Sequence, residues 1–147
     1  MGILDKMFGS NESSKESKRT MSTIPTLNEE LREFLEEADK LYIRAFETRS
    51  VGVLKEHFTR ECCFAISRWI INEASSRFFG DSKFRNTTWE LIKVIGNQYH
   101  IRKTCIYRDI KIAVTRTMKV SDDYIEEWIV TVSPDEYWVA SVQMEEL

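Results

Sequence analysis

The feature that most constrains this chain is a change of hydrophobic period near Thr87. Before it, apolar residues recur at three and four: Leu31, Phe34, Leu35, Ala38, Leu41, Tyr42, Ala45 and Phe46 form one stripe. That spacing predicts a long amphipathic helix, and Thr26 with Glu29 has the form of a capping box at its start. A short helical turn follows around Val53-Leu54. Thr59 can then cap a second long helix carrying Cys62, Phe64, Ala65, Trp69, Ile70 and Ala74, with Gly80-Asp81 as its stop.

From Thr87 the period is two. Trp89 to Ile95, a turn at Gly96-Asn97-Gln98 and Tyr99 to Arg108 read as a hairpin. Thr87 with Glu90 could instead cap a short helix closed by Gly96. The alternation of Ile110, Ile112 and Val114 predicts a strand reaching about Val120. Tyr124 to Val132 and Tyr137 to Met144, separated by Ser133-Pro134-Asp135-Glu136, make a closing hairpin. The fold class expected is α+β, with N-terminal helices packed on a curved antiparallel sheet of four to five strands in a cone-like domain.

That domain occupies residues 27–147. Ahead of it, GSNESSKESKRTMS has one apolar residue, so residues 1–26 read as a flexible tether and residues 1 to about 24 are expected to be dispensable for folding. Within the tether Ile3, Leu4, Met7 and Phe8 would share one face of a short helix. They are candidates for a docking peptide toward a partner or a membrane surface.

The net charge is −3, so the molecule has no general basic field and nucleic acid is a poor partner. Three cysteines, two of them adjacent at Cys62-Cys63, fit a reducing compartment, and cytoplasmic location is the expectation. With only His57 and His100 and no C-x-x-C or H-x-x-x-H, neither a metal nor a cofactor is expected; five scattered glycines build no phosphate-binding loop.

Carboxylates are the stronger chemical candidates. Asp109, Glu126 and Glu127 lie on or beside strands, and one turned inward among aromatics would have the raised pKa of a general acid or base. Strand alternation sends Glu126 and Glu127 to opposite faces. Cys105 shares a face with Lys103 and Tyr107, a pattern more typical of a small core residue than of a reactive thiol.

The order of elements, with Leu54, Phe58, Thr59 and Glu61 in the short helical region and Tyr124-Ile125-Glu126-Glu127-Trp128-Ile129-Val130 followed by Tyr137-Trp138-Val139-Ala140-Ser141-Val142, resembles the nuclear transport factor 2-like superfamily. Its closest branch is the C-terminal domain of the mitochondrial import motor's membrane-docking subunit and its bacterial relatives. The resemblance spans about residues 27–147 and implies a cone-shaped α+β fold. It implies either a non-catalytic adaptor or an enzyme of the ketosteroid isomerase and polyketide cyclase kind. For the isomerase pattern of a pocket acid with Tyr and Asp donors, Tyr107 with Asp109 is the nearest pair, and a third partner is missing.

The reading is therefore a non-catalytic binding or assembly module. A small-molecule lyase or isomerase using a cavity between sheet and helices is the alternative, and a membrane-peripheral adaptor acting through residues 1–8 is the second. Apolar residues on both faces of the closing hairpin, among them Tyr124, Trp128, Val130, Tyr137, Val139 and Trp138, predict that one face is an interface with a protein partner or in a homodimer.

Overall fold

In the computed structural model, which describes residues 27–72, 79–118 and 120–145, two helices lie on one face of a four-stranded sheet. Helix α1 (Glu29–Thr48) and α2 (Arg60–Asn72) precede strands β1 (Arg85–Ile95), β2 (Gln98–Tyr107), β3 (Ile110–Ala113), β4 (Arg116–Met118), β5 (Tyr124–Val132) and β6 (Tyr137–Glu145). The main sheet is antiparallel in the order β1-β2-β5-β6, with β3 and β4 forming a separate two-stranded ribbon. The fold is α+β, as the change of period predicted. Residues 1–26, including Thr26 and the candidate peptide Ile3, Leu4, Met7 and Phe8, lie outside the described residues.

Helix α1 is capped by Asn28, whose side-chain oxygen accepts from Leu31 N at 2.7 Å; the cap expected at Thr26 is thus supplied two residues later. Glu29 and Glu30 in the first turn suit the positive end of the helix dipole. Its buried stripe, Leu31, Leu35, Ala38, Tyr42, Ala45 and Phe46, is the helical stripe of the sequence. Thr59 caps α2 by accepting from Cys62 N at 3.2 Å. Of the apolar residues assigned to α2, Cys62 and Ile70 face the core and Trp69 is half-buried, whereas Ala65 is exposed, Phe64 is 65% exposed and Ala74 lies outside the described residues; Ile66, not singled out in the sequence, is the further buried residue.

Residues 85–95 are strand, which settles the helix alternative. The backbone of β1 pairs with β2 from Arg85↔Tyr107 to Ile95↔Gln98, leaving no room for a helical ladder. The single strand expected from Ile110 to about Val120 is two short strands folded about Val114-Thr115. That turn carries neither Gly nor Asn, so alternation ran through it unmarked. Among the described residues Val114 is the most exposed large hydrophobic, at 90%.

Bulges set which side chains reach the core. Between β5 and β6, Val130 pairs with Val139 but Ile129 pairs with Ser141, so Ala140 is the extra residue. The parity of β6 shifts there. Tyr137 and Val139 on one side of the bulge, and Val142 and Met144 on the other, all fall in register with the inward-facing residues of β5. Strict alternation without the bulge puts Tyr137 and Val139 on one face and Val142 and Met144 on the other, and the apparent need for cover on both faces of β6 comes from that division.

The core is aromatic. The Trp128 ring lies 5.5 Å from Tyr42, 5.8 Å from Phe58 and 5.0 Å from Trp89, all tilted near the edge-on geometry that ring quadrupoles favour. Phe46 meets Trp69 at 5.5 Å and joins α1 to α2. At the β6 edge, Thr59 N donates to Val139 O and Val139 N donates to His57 O, so the segment before α2 covers part of that edge.

Candidate functional site: a buried ion triad beside a cleft

Beneath α1 the apolar packing is interrupted by three charged side chains. Lys103 and Glu126 are 0% exposed, and Asp39 is 8% exposed. Their positions follow from local structure. Asp39 sits in the apolar stripe of α1, between Ala38 and Tyr42. Lys103 occupies an inward position of β2 between Ile101 and Cys105, and Glu126 is directly opposite it on β5.

Lys103 Nζ donates to Asp39 Oδ1 and lies 3.3 Å from Glu126 Oε1. Glu126 is held on both oxygens: Tyr42 Oη donates to Oε2 at 2.6 Å and Trp128 Nε1 to Oε1 at 3.0 Å. The ammonium is also boxed by rings, with Nζ 4.8 Å from the centre of Tyr124, 5.1 Å from Tyr42, 5.5 Å from Trp128 and 6.0 Å from Trp89. Such a box recovers part of the cost of desolvating an ammonium ion, and each ring adds a cation–π term. Burial pushes the Asp39 carboxyl above its ordinary value, and the Lys103 ammonium offsets only part of that push.

The triad is closed except at Asp39, which lines a cleft of about 890 Å³ running between α1 and the start of β1. Glu36, Lys40, Arg85, Thr87 and Trp89 line it as well. The guanidinium of Arg85 is committed to the backbone, donating from Nη1 to Phe79 O at 3.0 Å and Gly80 O at 3.3 Å. Of Asp39, only Oδ1 has a hydrogen-bond partner among the described residues; Oδ2 has none.

The sequence-predicted acids separate. Glu126 is inside. Glu127, next to it, lies on the outer sheet face against His100 Nδ1 at 3.3 Å. Asp109 is exposed in the β2–β3 connection, well apart from the triad in chain and sheet position. Tyr107 is buried at the end of β2, its hydroxyl pushed to a higher pKa by burial, and its backbone N–H donates to Asp123 Oδ1 at 2.9 Å. Tyr107 and Asp109 therefore do not converge as a donor pair.

The interface candidates also separate. Tyr124, Trp128, Val130 and Val139 are buried within this chain's own core and are unavailable to a partner, because the helices occupy the face they share. Tyr137 is half-buried and donates to Glu30 Oε1 at 3.1 Å. Trp138 is half-buried on the other face, with Nε1 donating to Glu136 Oε1 at 2.6 Å. That outer face carries a charge ladder, Arg102 with Glu90 at 3.9 Å and Glu145 at 3.6 Å beside the His100–Glu127 pair.

Asp39 and Tyr42 were not singled out by sequence reasoning, and Lys103 was noted only as a neighbour of Cys105. The available signal was a charged residue at an apolar phase in both elements: Asp39 in the α1 stripe and Lys103 in the inward series of β2. Cys105 and Cys62 are buried, and burial pushes the Cys62 thiol up to about 12, away from thiolate character. Among the described residues no cluster of His, Cys, Asp or Glu could hold a metal ion, and no helix is long and apolar enough to cross a membrane.

Comparison with protein-family models, with curated proteins and with solved structures gives no match in any of the three. The fold and site by themselves define a two-layer α+β domain with a closed ion triad opening on a cleft at one carboxylate.

Proposed function

We propose that this domain is a non-catalytic binding module whose ligand site is the cleft between α1 and β1. The observation that carries the reading is the state of Glu126: it is fully buried, both oxygens are engaged, and the cation beside it is enclosed by rings. A general acid or base must reach a substrate proton, whereas Glu126 is fully buried with its two oxygens accepting from Tyr42 and Trp128. Asp39 alone presents a polar edge to a cavity large enough for a small molecule. The resemblance to the nuclear transport factor 2-like superfamily belongs to the same proposal, since two helices over one face of a curved sheet leave such a space between the layers.

The alternative, a lyase or isomerase, draws on one observation: the Asp39 carboxyl is raised by burial at the cleft floor, the environment of a general acid. Self-association is a further part of the proposal in a reduced form, limited to the outer sheet face around Trp138, Ile125 and Ile129. Cytoplasmic location rests on the reduced cysteines alone.

The test is a fragment screen by amide and indole chemical shifts on the full chain. Binding predicts shifts at Asp39, Thr87 and Trp89 with no chemical change in the bound compound. Turnover of a bound compound that Asp39→Asn abolishes in a folded protein would replace this reading with the enzymatic one. No compound shifting the cleft residues would remove both.

A further inference from the structure

At the sheet edge opposite β1, two hollows meet at the side chain of Trp138. One, of about 480 Å³, is acidic: Glu30, Glu33, Glu56, Asp135 and Glu136 line it, with no Lys or Arg among the described residues of its wall. Five carboxylates gathered without a cation repel one another, and a positive segment laid across them relieves that repulsion. The other is an apolar groove of about 490 Å³ walled by Val51, Phe58, Cys63 and Trp138. It continues past Val51 and Cys63 to the ring of Phe64, 65% exposed on α2. A continuous apolar surface with a phenyl ring left in water marks a docking site.

The chain itself carries the complement, in matching order. Helix α1 starts at the rim of the acidic hollow, where Tyr137 Oη donates to Glu30 Oε1 at 3.1 Å and Leu27 packs against the core. Residues 1–26, which lie outside the described residues, therefore join the domain beside this hollow. Back from Leu27, the first charged run is Lys15-Glu16-Ser17-Lys18-Arg19, three cations to one carboxylate. Beyond it come Phe8, Met7, Leu4 and Ile3, which share one helical face. The order along the segment, basic then apolar, is the order along the surface, acidic hollow then apolar groove, with Trp138 between. Phe8 can stand on the order of 60 Å from Leu27 at full extension, more than the breadth of a domain of this size.

We propose that Ile3, Leu4, Met7 and Phe8 dock in cis into the groove bounded by Val51, Cys63, Phe64 and Trp138, with Lys15, Lys18 and Arg19 crossing the acidic hollow. Tethering selects this occupant over a separate molecule, because a segment on a linker this short meets the groove at an effective concentration in the millimolar range. A short helix that is marginal alone gains an apolar partner there. The docking is made on a domain already folded, and it is independent of what the cleft at Asp39 binds.

The experiment compares the full chain with the double variant Leu4→Ser and Phe8→Ser, which leaves the net charge unchanged. Tryptic cleavage after Lys15, Lys18 and Arg19 is followed by mass spectrometry, and the Trp138 indole and the Val51, Cys63 and Phe64 amides by chemical shift. The double variant is expected to be cleaved about fivefold or more faster than the wild type, since cleavage follows the population of the open form. Its shifts should differ from the wild type at those four residues and not at Asp39 or Trp89. Phe64→Ser, at an exposed position of the groove wall, should speed cleavage in the same way. Replacing Lys15, Lys18 and Arg19 with Glu should move the groove shifts toward those of the double variant; no movement would overturn the path across the acidic hollow. Equal cleavage rates with unchanged groove shifts would overturn the proposal. Shifts that grow with protein concentration, alongside a dimer mass in light scattering, would give the groove to a second copy's segment and overturn docking in cis. Unchanged groove shifts, with binding to anionic lipid vesicles lost in the double variant, would assign the segment to a membrane surface instead.

Discussion

Two neighbouring rungs of the same strand pair differ in everything but their chemistry. Lys103 is opposite Glu126 and Arg102 is opposite Glu127, each a cation facing a carboxylate across β2 and β5. The first rung is sealed under α1 with Asp39, Tyr42 and Trp128; the second is on the outer face, where Arg102 reaches Glu90 and Glu145 and Glu127 turns to His100. A shift of one residue along a strand changes the solvent, and the solvent decides what a charge pair does. In water the pair gains little, because each ion trades one favourable environment for another. In the interior neither ion has an alternative, so each depends on its partner.

Replacing Lys103 with Met should therefore have the largest effect, about 3–5 kcal/mol lost in urea unfolding, because Asp39 and Glu126 would be left buried without a cation. A loss below about 1 kcal/mol would place this rung with surface pairs and erase the comparison. Glu126→Gln should cost less, about 1–3 kcal/mol. The amide keeps one acceptor for Tyr42 or Trp128, and Lys103 keeps Asp39.

A pH series sharpens the contrast at Asp39. Its folded-state pKa is raised above the ordinary 3.8, so the folded form binds its proton more tightly than the unfolded chain. The stability this contributes is fully present below about pH 3.8 and is lost as pH rises through the folded value. The stability difference between the wild type and Asp39→Asn should accordingly shift against the wild type as pH rises from about 3.8, followed by thermal unfolding at constant ionic strength. The opposite slope would mean that pairing with Lys103 outweighs burial.

The smallest effect belongs to the outer rung. Arg102→Ala should change stability by less than about 1 kcal/mol, and about 0.5 M salt should remove most of that, since these side chains remain in solvent. A salt-independent loss of several kcal/mol would show that the outer face is covered by another molecule, and would revive association through it.

The period change near Thr87, the Leu31 to Phe46 stripe and the two hairpins at Gly96 and Pro134 were written in the sequence, because they depend on spacing along one element. So was the division of Glu126 from Glu127 to opposite faces, since strand alternation is local. The direction of those faces was not. It depended on which side of the sheet α1 packs, and on β6 it depended also on the bulge at Ala140, a property of the pairing between two strands, which moved Val142 and Met144 to the side of Tyr137 and Val139. The turn at Val114-Thr115 was equally invisible, because it uses none of the residues that mark turns.

The triad belongs wholly to the tertiary structure. Asp39, Lys103 and Glu126 are separated by 64 and 23 residues, and each alone reads as an ordinary surface charge that has strayed onto an apolar phase. The sequence by itself determined which element each charge would ride on and which way it would point from that element's axis. Only packing α1 across β2 and β5 could bring the three within reach of one another, because hydrophobic burial of the surrounding rings sets the layer distance and the charges must pair inside it.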